Sequence, residues 1–236
     1  MAPNKKRKTL KHKSNKKLFL AIGVIALILI GVGAYILLGQ VANQPNTSST
    51  PTPSPSPSAS QTPSPTTNDT SYVNPTKVLL QTSVGNITLE LRSDKPITTS
   101  NFINLVQQGK YDGSIFHRVI SGFMIQGGAI SGTTPTIADE IGSNNRNVAY
   151  TIAMAKTSDP NSATSQFFIN VADNGNLVID QAGTKFDTVY AVFGKVVEGQ
   201  NFVDAIANAQ VSANPYTHEN SDPVNPVTLI KATIIS

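Results

Sequence analysis

The chain of 236 residues has no cysteine and no tryptophan, and only three histidines. Without cysteine there can be no disulfide, no thiolate zinc site and no lipid-modified cysteine near the N-terminus, and the redox compartment is left open. Acidic residues are missing from the first 68 positions, and residues 18–68 carry no charge of either sign. The formal net charge of +4 therefore has one source. Lys5, Lys6, Arg7, Lys8, Lys11, Lys13, Lys16 and Lys17 lie in residues 1–17, and the ten remaining basic residues face fourteen acidic ones, a net charge of −4. A basic pI built this way gives no general nucleic-acid surface, and no nucleic-acid partner is expected. A nuclear-localisation or nucleic-acid tail is the alternative reading of the head itself.

The segment that follows the basic head decides how the head is read. Residues 18–38, LFLAIGVIALILIGVGAYILL, are uncharged and almost wholly apolar. At about 1.5 Å per residue they span roughly 32 Å as a helix, the thickness of a bilayer core. A helix apolar on every side is out of place in a globular core. A cleaved signal peptide is the rival, but GQVANQ after Leu38 is a poor cleavage site. The expectation is a transmembrane helix, with 1–17 a basic cytoplasmic head and the rest outside, a single-pass protein of the cell membrane. Residues 39–75 are rich in Pro, Ser and Thr, with the run PTPSPSPSASQTPSPTT. Proline at alternate positions removes N–H donors and fixes φ, so an extended, disordered linker is expected. About thirty such residues reach roughly 90 Å. Asn46 and Asn68 lie in glycosylation sequons.

From residue 76 to 236 the text is that of a folded domain. Val78–Gln81 and Ile87–Leu91 read as strands around Ser83-Val84-Gly85-Asn86; Ile87, Leu89 and Leu91 alternate with Thr88 and Glu90. Asp94-Lys95-Pro96 reads as a helix start with Asp as cap, Phe102, Leu105 and Val106 mark its apolar face, and Gly109 closes it. Short apolar runs follow at Phe116–Ile120, Met124–Gln126, Ile152–Ala155, Gln166–Val171, Tyr190–Val196 and Val227–Ile235, with a second helix at Gln200–Ala207. Many short strands with two helices predict a mainly β, closed antiparallel barrel with helical caps.

Arg118 and Gln126 stand out as polar residues inside strand-like apolar text, with Phe123, Met124 and Phe168 near them in pattern. A concave apolar site with a few fixed donors has this composition. So does ordinary barrel core in which Arg118 is salt-bridged to a carboxylate, and the residues alone leave both readings open.

Several segments carry a resemblance: FHRVISGFMIQGG at 116–128, with Tyr111 and Ser114 upstream; AMAKTSDPNSATSQFFIN at 153–170; NFINLVQQGKYDG at 101–113; and YAVFGKVVEGQNFVDAI at 190–206. Taken along the chain, these segments make residues 76–236 resemble the cyclophilin family of peptidyl-prolyl isomerases, in a bacterial-like form. The resemblance implies a closed eight-stranded antiparallel β-barrel capped by two α-helices, with the site in a groove on the barrel. It implies that Arg118 is catalytic, that Phe123, Met124, Phe168 and Leu177 line a pocket for the prolyl ring, and that Gln126 and Gln166 orient Arg118 and the peptide. Backbone at Ala155 and Lys156 would hold the substrate chain, and His117 would be a supporting residue. Tyr190 stands where many animal members have His, and Asn176 where they have Trp. The stretch AISGTTPTIADE after Gly128 departs from the usual loop of the family.

The implied activity is cis/trans isomerisation of X-Pro bonds in proline-containing polypeptides, as a folding helper for exported or cell-surface proteins. No metal or cofactor is required, since no bond between heavy atoms is made or broken, and a monomer is expected. A proline-binding chaperone module with incidental turnover is the alternative. A hydrolase finds no support, because no nucleophile-elbow pattern occurs.

Overall fold

The computed structural model describes Tyr72 and residues 74–235. The cytoplasmic head, the transmembrane helix and nearly all of the linker expected from the sequence lie outside the described residues. Among the described residues no helix is long and apolar enough to cross a membrane. Tyr72 already belongs to the folded part: the Lys195 ammonium sits 4.0 Å from its ring centroid, so contacts begin before the boundary expected at residue 76.

Among the described residues eleven strands and two α-helices follow. They are β1 (Lys77–Thr82), β2 (Gly85–Leu91), α1 (Pro96–Gln107), β3 (Ser114–Ile115), β4 (Arg118–Ile120), β5 (Met124–Gly127), β6 (Thr151–Met154), β7 (Phe167–Asn170), β8 (Val192–Glu198), α2 (Gln200–Ala207), β9 (Val211–Ala213), β10 (Asn220–Pro223) and β11 (Thr228–Ile234). Nine strands form one curled antiparallel sheet in the order β3-β11-β1-β2-β8-β6-β7-β5-β4, and β9 and β10 make a separate hairpin.

The closed eight-stranded barrel expected from the sequence is corrected here. The sheet has nine strands, and its two edge strands, β3 and β4, do not pair with each other. They are successive pieces of one run, Ser114–Ile120, which breaks at Phe116 and His117. The Phe116 N–H donates to Val227 O on one side, and the next N–H, of His117, donates to Gln126 O on the other. The chain changes partner at this step, so the ring is joined through the backbone and not through a ladder.

Period-two alternation fills the inside of the sheet. Val78, Leu80, Ile87, Leu89, Val119, Ile125, Ile152 and Ile169 are at most 1% exposed, and burying each contributes roughly 1.5–3 kcal/mol. Gly194 belongs to the same layer. A Cβ there would meet Glu90 O at 2.8 Å and Ile152 Cγ2 at 3.1 Å, so only glycine fits. Helix α1 closes the core with Phe102, Leu105 and Val106, and α2 with Val203, Ile206 and Ala207.

The start of α1 differs from expectation. Lys95, not Asp94, is the N-cap, with Pro96 in the first turn and no side-chain cap. Asp94 is drawn instead to Arg92, whose Nε and Nη2 donate to it at 2.8 and 2.7 Å. The open N–H groups of Ile97 and Thr98 donate to the Glu140 carboxylate. A carboxylate at a helix N-terminus satisfies orphan donors and complements the helix dipole. Here it comes from a loop far along the chain, a partner that no local pattern indicates.

Candidate active site

The outer face of the same strands carries the site. Cross-strand pairing aligns Arg118 with Gln126, Gln126 with Phe168, Phe168 with Ala153, and Ala153 with Val192. Five residues from β4, β5, β7, β6 and β8 thus form one row. A one-residue step along the strands gives the core row Val119, Ile125, Ile169 and Ile152, because successive strand residues point to opposite faces.

The apolar end of the row is a second cluster, separate from the main core. It holds Phe123, Met124, Ala153, Phe168, Phe186 and Val192, flanked by the partly buried Ile120, Ala155, Leu177, Ile179 and Tyr190. Phe186 is its hub, with ring centroids 5.6 Å from Phe123, 5.5 Å from Phe168 and 4.4 Å from Tyr190. Tyr190 also meets Phe168 edge-on at 5.4 Å. The resemblance gave Leu177 as the fourth wall. In the structure Leu177 flanks the cluster and accepts the Phe186 N–H through its backbone oxygen, while the Phe186 ring fills the centre. Asn176 is exposed.

A polar chain runs along the other end. Arg118 Nη1 donates to Gln126 Oε1 at 3.3 Å, and Gln126 Nε2 donates to Gln166 Oε1 at 2.9 Å. The same Nη1 lies 3.8 Å from Met124 Sδ. On its far side the guanidinium is paired with Glu219: Nε donates to Oε2 at 2.7 Å and Nη2 to Oε1 at 2.8 Å. Of the two readings left open for Arg118, the salt bridge to a carboxylate is the one present in the structure. The guanidinium also borders an apolar cluster through the nitrogen that the carboxylate leaves aside.

The remaining expected residues fall around this frame. The His117 imidazole is shifted below its ordinary value by burial, and the neighbouring Arg118 charge pushes the same way. Its Nδ1 is buried without a hydrogen-bond partner among the described residues. The Tyr190 phenol is raised by burial, with the Arg118 charge opposing. The Ala155 N–H donates to Gln166 O at 2.9 Å, so that donor is already used within the protein. The Lys156 ammonium points away from the row, to Asp139 Oδ2 at 2.6 Å and Asp159 O at 3.3 Å. Among the described residues no group of three or more His, Asp or Glu is gathered as a metal would require.

Buried asparagines fix the frame from behind. Asn145 Nδ2 donates to Asp187 O and Tyr190 O, and its Oδ1 accepts the Val192 N–H. This pins the segment between Phe186 and β8. Asn174 Nδ2 donates to Phe123 O at 2.8 Å and to Asn170 Oδ1 at 2.7 Å. Neither these residues nor Phe186 and Glu219 were singled out from sequence. Phe186 could have been sought as an aromatic four residues before Tyr190; Glu219 gives no such signal.

Residues 77–234 match the family described as cyclophilin type peptidyl-prolyl cis-trans isomerase/CLD. A peptidyl-prolyl cis-trans isomerase A of Dickeya dadantii is 48% identical over 157 residues, covering 63% of this chain and 80% of that protein. A peptidyl-prolyl cis-trans isomerase of Streptomyces antibioticus is 47% identical over 165 residues, covering 67% and 98%. Among solved structures, a cyclophilin type peptidyl-prolyl cis-trans isomerase of Cryptosporidium parvum, crystallised in the presence of the dipeptide Ala-Pro, aligns with a TM-score of 0.57 at 27% identity, covering 68% of this chain and 99% of the other.

Proposed function

The chain belongs to the cyclophilin-type peptidyl-prolyl cis-trans isomerases and is an enzyme of that class, and from this we propose that Arg118 stabilises the twisted prolyl amide while the Phe123, Met124, Phe168 and Phe186 cluster receives the ring. Rotation about the peptide bond costs about 18–20 kcal/mol because it breaks amide resonance. In the twisted state the prolyl nitrogen becomes pyramidal and regains its lone pair. A donor aimed at that lone pair finds a partner there and little to bind in either planar form. Such differential binding lowers the barrier.

One observation carries this reading: among the described residues Arg118 Nη1 has only weak partners, Gln126 Oε1 at 3.3 Å and Met124 Sδ at 3.8 Å. Thioether sulfur is a poor acceptor, so an N–H facing it can turn to a substrate at little cost. A hydrogen bond from a charged group contributes roughly 1.5–3 kcal/mol, or about ten- to two-hundredfold in rate. Ring burial in the cluster contributes mainly to affinity, since both isomers bury the ring. The strong Arg118–Glu219 pair favours a second reading, a proline-peptide-binding module whose guanidinium is already spent. A protease-coupled isomerase assay on the full chain separates the two. Arg118→Ala is expected to lower kcat/KM about a hundredfold while peptide binding is largely kept; wild-type turnover in the variant would sink the assignment.

We also propose that residues 18–38 anchor the enzyme in the cell membrane, with 1–17 in the cytoplasm and the isomerase domain outside, where exported or cell-surface polypeptides are its substrates. The basic head next to an uncharged apolar run supports this orientation. Protease added to intact cells should remove the domain; a domain protected until the cells are opened would refute the proposal.

A further inference from the structure

We propose that Glu219 is a positioning residue for the isomerisation: it holds the Arg118 guanidinium so that Nη1 alone is turned to the prolyl site. The inference rests on Arg118 being the group that meets the prolyl nitrogen. Arginine is long and loses much rotamer freedom when fixed. The Gln126 contact, one bond of 3.3 Å, is too weak to fix it. The Glu219 carboxylate takes Nε and Nη2 together, at 2.7 and 2.8 Å. This fork-to-fork geometry sets the plane of the guanidinium as well as its place. The two side chains are 20% and 11% exposed, so the pair is weakly screened by solvent.

The carboxylate is itself held. It lies in the turn between β9 and β10, and β10 packs beside β4, the strand of Arg118. Asn214 builds that turn: its Oδ1 accepts the N–H groups of Tyr216 and Thr217, its Nδ2 donates to Asp222, and its backbone N–H donates to Glu219 O at 2.8 Å. A rigid turn thus presents Glu219 to Arg118 before any substrate arrives. The guanidinium then needs no reorganisation when the amide twists, which is what makes a fixed donor effective.

The test uses the full chain. Glu219→Gln keeps size and removes the second anionic oxygen. It should lower kcat roughly ten- to a hundredfold with KM within about twofold, as expected for a misplaced catalytic group. In nitrogen-edited NMR, the Arg118 Nε–H should be a sharp, slowly exchanging signal in the wild type and be lost in Glu219→Gln, while the amide spectrum stays dispersed. In an Arg118→Ala background, Glu219→Gln should cost no further turnover, because the carboxylate acts only through the arginine. Unchanged or increased kcat in Glu219→Gln, a retained Nε–H signal, or a loss that adds to that of Arg118→Ala would each overturn the proposal. If Arg118→Ala itself turned over like the wild type, the Arg118 assignment would fall, and the NMR signal would still report whether Glu219 holds the side chain.

Discussion

Two rows of one sheet, a single residue apart, do opposite work. Val119, Ile125, Ile169 and Ile152 face inward and are essentially inaccessible. Arg118, Gln126, Phe168 and Ala153 point to the opposite face of the same strands, where Phe168 and Ala153 are buried in the second cluster, and mix charge, amide and aromatic ring. The inner row needs only volume and apolarity. The outer row needs particular atoms at particular distances, and every strand that carries it is anchored by its inward neighbour. If the outer row is the site proposed above, stability and activity should be separable by a step of one position.

The sharpest way to break the comparison is to truncate adjacent residues of β5. Ile125→Ala opens a cavity in a fully buried site and should cost about 2–5 kcal/mol of unfolding free energy, with turnover per folded molecule unchanged. Gln126→Ala should do the reverse. Removing the link between Arg118 and Gln166 is expected to lower kcat about tenfold, with stability altered by no more than about 1 kcal/mol. Urea denaturation and the protease-coupled assay on both variants check this; a similar profile for the two would mean the rows are not separable.

A smaller effect sharpens the contrast between the two ion pairs. The hydrogen bond from Arg92 holds the Asp94 carboxyl at about 2, against an ordinary value of 3.8. A depressed carboxyl stabilises the fold above its unfolded-state value, and that contribution is lost as pH falls through the folded value. Asp94→Asn should therefore be less stable than the wild type at pH 5, with the gap closing between about pH 4 and pH 2. Melting temperatures measured across that range test it, and a gap independent of pH would contradict it. The partners of Asp94 include Arg92 and Asn144, neither of which belongs to the outer row, so turnover of the variant at neutral pH should be normal.

Much of the fold was legible because alternation and helix periodicity are local. The second helix falls at Gln200–Ala207 as read, and β1, β2, β5 and β11 lie within a residue or two of their apolar runs. The break at Phe116–His117 was not legible, since it depends on which strand is reached from each side. The hairpin of β9 and β10 was missed because Val-Ser-Ala is too short to establish a period and Asn-Ser-Asp-Pro carries no apolar alternation. The turn it makes carries the Glu219 carboxylate that meets Arg118.

The sequence by itself determined the family, most of the strands and both α-helices, and the residue types of the outer row, because each is written in short-range pattern. It also marked Arg118 as either a site residue or a salt-bridge partner. Only the tertiary structure decided that it is paired with a carboxylate and also borders an apolar cluster, that Phe186 joins that cluster, and that Glu219 and Glu140 serve groups far from them in the chain. Those choices depend on distances across the sheet and between loops, and a carboxylate has no preferred spacing along the chain to announce the cation or helix it will meet in space.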